Sequence, residues 1–99
     1  MISSCKKEEM FEVNLTIKEH KFEPAIIYVP EMKKIKIYIT NMDDTAEEFE
    51  SLSLKRERII PAKGKAIITL APLKKGEFEF FGEFHQDTAQ GKIIVKDNE

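Results

Sequence analysis

The sequence predicts an all-β domain, a Greek-key β-sandwich of about seven to eight strands. Three observations carry that prediction. Apolar and polar residues alternate over several short segments, as half-buried strands require. Turn residues separate those segments at intervals of about 8–12 residues. Apolar stripes at three- and four-residue spacing are missing, even from the best helical candidate, Asp44 to Ser51.

The first alternating run is Phe11-Glu12-Val13-Asn14-Leu15-Thr16-Ile17. His20 to Pro24 follows as a corner, and Ala25 to Val29 as a strand that Pro30 stops. Ile35, Ile37 and Ile39 line one face of the next strand, which runs into the turn residues Asn41-Met42-Asp43-Asp44. Phe49 to Leu52 and Ile59-Ile60 read as strand pieces around the charged stretch Lys55 to Arg58. Ala66 to Leu70, Phe78 to Phe80 and Gly91 to Lys96 complete the set, with Pro61, Gly64, Pro72 and Gly76 between them.

Ninety-nine residues suffice for one core, read as a domain over 10–97 preceded by a tail or lipoprotein linker over 1–9. The net charge is -2 with both signs interspersed, so nucleic acid is not an expected partner. No apolar run approaches the ~20 residues that span a bilayer. The single cysteine, Cys5, has no partner for an internal disulfide. Ile2-Ser3-Ser4-Cys5 resembles a bacterial lipobox without the usual preceding hydrophobic segment. Two readings stand: the end of a trimmed export signal with membrane anchoring through Cys5, or a tail with an incidental cysteine.

Two places concentrate unusual chemistry. In Thr45-Ala46-Glu47-Glu48-Phe49-Glu50, three carboxylates surround one phenylalanine. The plain reading is a solvated strand edge whose charges discourage pairing. The functional reading is a hard-oxygen metal site, because clustered carboxylates repel until a cation or proton relieves them. In Phe80 to Thr88, Glu83, His85 and Asp87 follow an aromatic strand. Imidazole is the commonest metal ligand, although a lone surface histidine is often incidental. His20, the other histidine, reads as a turn residue beside Phe22 and Pro24, with membership of a site as the lesser alternative. Phosphate-binding glycine loops and a Gly-x-Ser-x-Gly elbow are absent. Cys5 lacks the fixed basic neighbour of a nucleophile.

The run Phe22-x-Pro24, the strand ending Thr40-Asn41-x-Asp43, Ile60-Pro61, and Phe80 through Gly91-x-Ile93-x-Val95 together resemble the cupredoxin layout. Glu47-Glu48-Phe49-Glu50-Ser51 with Gly82-Glu83-Phe84-His85 and Thr88-Ala89-x-Gly91 resembles a narrower branch. That branch accompanies bacterial iron permeases of ferrous-iron and high-affinity ferric-type uptake systems. The resemblance covers about residues 11 to 96.

A blue-copper site needs two imidazoles, a thiolate and a weak axial thioether. Aligned on the resemblance, Glu47 stands at the first histidine, Gly82 at the thiolate, His85 at the second histidine and Thr88-Ala89 at the methionine. One ligand of four survives, which excludes a blue-copper electron carrier. The resemblance instead implies an exported periplasmic or cell-envelope protein holding a copper or iron ion through His85, Glu47 and Glu48. Glu50 and Glu83 would be secondary carboxylates at the mouth of the site, over Phe49 and Phe84. Strand parity complicates that set, since a core-facing Phe49 sends Glu48 and Glu50 away from Glu47. The expected partner is an iron permease or periplasmic iron-binding protein, with metal binding favoured over ferrous oxidation with turnover. The alternative is a metal-free interaction module whose acidic face docks a basic partner.

Overall fold

The computed structural model describes residues 10–97. Cys5 and the 1–9 tail lie outside the described residues. Among those described, nine strands form two packed sheets. They are β1 (Met10–Lys18), β2 (Lys21–Glu23), β3 (Ile26–Pro30), β4 (Lys34–Asn41), β5 (Glu47–Ser51), β6 (Arg56–Ile60), β7 (Lys65–Leu70), β8 (Gly76–Gly82) and β9 (Gln90–Lys96). The all-β expectation holds, with more strands than the seven to eight expected. The corner expected over His20 to Pro24 contains the three-residue β2. The charged stretch Lys55 to Arg58 lies largely within β6, whose exposed residues alternate no apolar face.

One sheet has the order β2-β1-β4-β7 and the other β3-β9-β8-β5-β6. β1 runs parallel to β4, pairing Met10 with Lys34 and Ile17 with Asn41. β3 likewise runs parallel to β9. Between the sheets lie Leu15, Ile17, Ile35, Ile37, Ile39 and Ile93, all nearly inaccessible to water. Each such side chain removed from water contributes roughly 1.5–3 kcal/mol before entropy opposes it. Phe22, Phe49 and Phe80 pack at one end of this core, Phe49 stacked on Phe80 with centroids 4.9 Å apart. Phe22 meets Phe80 edge-on at 5.0 Å.

The strands β6 and β7 are edges of different sheets and lie side by side. Arg58 closes this seam by donating from its guanidinium to the Ile67 carbonyl at 3.0 Å. That bond satisfies part of an otherwise open edge and blunts it with charge. At the pole containing the phenylalanines, buried Asn41 ties the loops together. Its Nδ2 donates to the Thr45, Ile60 and Pro61 carbonyls. Its Oδ1 accepts from the Asp43 N–H at 2.9 Å, closing an Asx-type turn that fixes Asp43.

Candidate metal centre

β5 alternates strictly: Glu47, Phe49 and Ser51 face the core, while Glu48 and Glu50 face outward. This period of two puts the adjacent Glu47 and Glu48 carboxylates on opposite faces of one sheet. Glu47 is only 1% exposed. Its Oε1 accepts from the N–H groups of Glu48 and Phe84, each at 3.0 Å. Its Oε2 lies 2.7 Å from His85 Nδ1. Two backbone donors and an imidazole therefore satisfy a carboxylate that would be costly to bury alone.

His85 ends a single 3₁₀ turn, Glu83–His85, between β8 and β9. The His85 carbonyl accepts from the Ala89 N–H at 2.8 Å, while Gly82 N–H donates to the Ala89 carbonyl at 2.8 Å. These bonds close the loop beneath the imidazole. Gly82 is required there by close approach, because an added β-carbon would stand 2.6 Å from Glu47 Cδ and 2.7 Å from Ala89 Cβ.

A second imidazole completes the pole. The His20 ring stacks on that of His85, with centroids 3.7 Å apart and planes within 15°. His20 sits in the β1–β2 hairpin turn, where Glu19 and His20 have φ of 55° and 59°. Two consecutive left-handed residues match the twist of a tight hairpin, but glycine and asparagine fit them best. Asp43 supports the turn by accepting from the Glu19 and His20 N–H groups at 2.7 and 2.9 Å. Burial opposes ionisation of Asp43. The two N–H bonds and the neighbouring His20 and His85 rings outweigh it and hold the carboxyl below the ordinary aspartate range.

The outer face collects the remaining acids. Glu48, Glu50 and Glu57 bring carboxylate oxygens within 4.8 Å of one another. Glu50 and Glu57 stand directly opposite on β5 and β6, a destabilising like-charge pair. Loss of hydration raises the Glu48 and Glu50 carboxyls, and the Glu57 and Glu83 charges raise them further. The five predicted site residues therefore separate into two groups. Glu47 and His85 meet inside the pole, while Glu48, Glu50 and Glu83 gather outside with Glu57.

Comparison with known proteins decides the family. The model of the family described as "Cupredoxin-like domain" matches residues 1–95. The chain belongs to the cupredoxin-like domain family. It is 56% identical over 90 residues to the uncharacterized protein RP394 of Rickettsia prowazekii (strain Madrid E), covering 91% of this chain and 72% of that one. The cupredoxin-like fold also resembles the metal-binding domain of the Streptococcus pneumoniae Cu(I)-exporting P-type ATPase CopA. There the TM-score is 0.76 at 14% identity, over 93% of this chain and 100% of that one. Auracyanin A, a blue copper protein of Chloroflexus aurantiacus, gives 0.76 at 11% identity over 89% and 100%. Amicyanin of Paracoccus versutus gives 0.66 at 14% over 85% and 80%. At these identities the likeness is one of fold.

The residues of this cupredoxin-like chain do not fit a blue-copper ion. Among the described residues the pole offers no thiolate, and Glu47 fills the space over Gly82 that a β-carbon there would need. Imidazole and carboxylate donors fit a harder ion, and His20 Nδ1 is buried with no hydrogen-bond partner. Phe49 lies beneath the pole as expected, at 0% exposure. Phe84 does not: it is 48% exposed, because the 3₁₀ turn directs it away from the core. Sequence reading alone omits two participants: Glu57 carries no local signal of the contacts it makes, and Asp43 reads only as turn chemistry. His20 reads first as a turn residue and only second as a member of a site.

Proposed function

We propose that this cupredoxin-like protein binds a metal ion at a mixed carboxylate–imidazole site and serves iron uptake. In this reading iron is the cargo, copper is the alternative ion, and a membrane permease receives the iron. The protein acts outside the cytoplasmic membrane, in the periplasm or cell envelope, with Cys5 as its anchor. The observation that carries the reading is the Glu47–His85 contact at 2.7 Å. It joins an imidazole to a buried carboxylate at a pole where the fold family places metals.

Glu47 fixes the orientation of His85 through Nδ1, as carboxylates do for metal-ligating histidines, and leaves Nε2 as a donor. Alternatively His85 Nδ1 and Glu47 Oε2 would hold the ion together. Glu48, Glu50, Glu57 and Glu83 form the approach, their clustered carboxylates raising local cation concentration. Oxygen-rich ligation favours the higher charge state of iron, which suits ferric holding or ferrous oxidation.

The second reading is a metal-free module whose acidic face docks a basic partner. The filled space over Gly82 favours it, since Glu47 is fully hydrogen-bonded without an ion. Calorimetric titration with Cu(II), Fe(II) and Fe(III) separates the two, followed by elemental analysis. Metal binding predicts near-stoichiometric uptake, lost in Glu47→Ala and His85→Ala variants. Uptake no greater than background in the folded wild-type chain overturns it. Catalytic consumption of Fe(II) in air, beyond one equivalent, would add turnover to the binding role.

A further inference from the structure

We propose that His20 is a second nitrogen donor of the site, its ring leaving the stack on His85 to serve as one. This rests on the metal-binding reading and names a ligand that reading lacks. Four observations on His20 carry it.

The first is its backbone. An imidazole occupies a left-handed turn position, at φ 59°, that glycine or asparagine would fill with less strain. Residues held in such conformations cluster at functional sites. The second is the investment in holding that turn. Asp43 accepts from two of its N–H groups, and Thr88 Oγ1 donates to the His20 carbonyl at 2.6 Å. Thr88 lies in the loop carrying His85, so the two histidine-bearing segments are tied together.

The third is the contrast between backbone and ring. The main chain at His20 is clamped from two sides, whereas the ring is held by the stack and by one long approach to Asp43. The side chain is 42% exposed, and its Nδ1 approaches Asp43 Oδ2 at 3.5 Å without hydrogen-bond geometry. The fourth is that Nδ1 itself is buried without a hydrogen-bond partner. Buried polar atoms are paired in nearly all cases, and exceptions mark strain, function or an absent ion.

Stacking bears directly on mechanism. An imidazole nitrogen donates along its ring plane, so two near-parallel rings 3.7 Å apart do not aim at one ion. Joint ligation therefore requires the stack to open. The clamped turn allows this by rotation of the His20 side chain, with no movement of the strands. His20 then has one state that covers His85 and one that completes a two-nitrogen ligand set.

The test uses the full chain and its His20→Asn variant, which keeps a side chain suited to the left-handed turn. Cu(II) is added, and the nitrogen superhyperfine pattern is read by electron paramagnetic resonance alongside calorimetric affinity. The expected result is two coordinated nitrogens in wild type and one in the variant, with at least a tenfold loss of affinity. Unchanged amide spectra outside the turn would show that the variant folds. Equal nitrogen count and affinity in both proteins overturns the role of His20 while leaving metal binding intact. Absence of any copper, iron or zinc uptake by wild type overturns the metal reading and this inference together.

Discussion

Glu47 and Gly82 share one space. A β-carbon on Gly82 would lie 2.7 Å from Glu47 Oε2 and 2.6 Å from its Cδ, well inside contact distance. The two positions are therefore coupled: a carboxylate at 47 is compatible only with the smallest residue at 82.

Gly82→Ala should destabilise the protein by about 1–3 kcal/mol, the usual range for an overpacked interior. The loss should shrink in a Glu47→Ala background, though not vanish, because Ala89 Cβ also crowds the site at 2.7 Å. Urea unfolding of the four proteins in this cycle measures the coupling. Strict additivity would contradict the shared-space account.

Glu47→Ala removes the acceptor for the Glu48 and Phe84 N–H groups and for His85 Nδ1. The expected cost is about 1–3 kcal/mol, the penalty for leaving buried N–H donors without an acceptor. In a domain of this size that corresponds to a melting point lower by roughly 4 °C or more. Glu47→Gln keeps one carbonyl acceptor and should lose less. A thermal melt showing the two variants equal would argue that Glu47 acts by volume alone.

Asn41→Ala should cost about 2–4 kcal/mol, because three carbonyls and the Asp43 N–H lose a buried partner. Its effect should reach the site, since Asn41 sets Asp43 and Asp43 sets the His20 turn. Nuclear magnetic resonance should show the His85 ring protons shifting as the stack loosens. A stability loss with an unmoved His85 signal would confine Asn41 to the corner.

Acidification should act in two opposite stages. The Glu48 and Glu50 carboxyls are raised above the ordinary value of 4.5 in the folded chain. Their contribution to stability is full below that pH and is lost as pH rises through the folded values. Moving from neutral pH toward 4.5 should thus relieve the outer face, and Glu50→Gln should abolish much of the gain. Asp43 is lowered from 3.8, so its contribution is present above that value and fades as pH falls through the folded value. Melting temperatures across pH 2–8 for wild type, Glu50→Gln and Asp43→Asn check both stages.

The parity of β5 was legible in Glu47-Glu48-Phe49-Glu50-Ser51, because strand periodicity is a local property. The same parity warned that Glu47 and Glu48 would part. What it did not supply was the partner of each. Glu57 opposes Glu50 only through the register of β5 on β6. β6 itself was obscured by the charges of Lys55 to Arg58, since an edge strand exposed along most of its length shows no alternation.

Alternation, turn residues and spacing by themselves determined the all-β class and most of the strands, and the resemblance to the cupredoxin layout implied the loss of the blue-copper ligands. These follow from chemistry within a few residues of chain. Only the tertiary structure decided that Glu47 reaches His85 across 38 positions and that Asp43 clamps His20 across 23. It alone stacked the two histidines. Such contacts depend on sheet order and on loops meeting at one pole, and no local pattern encodes where distant loops meet.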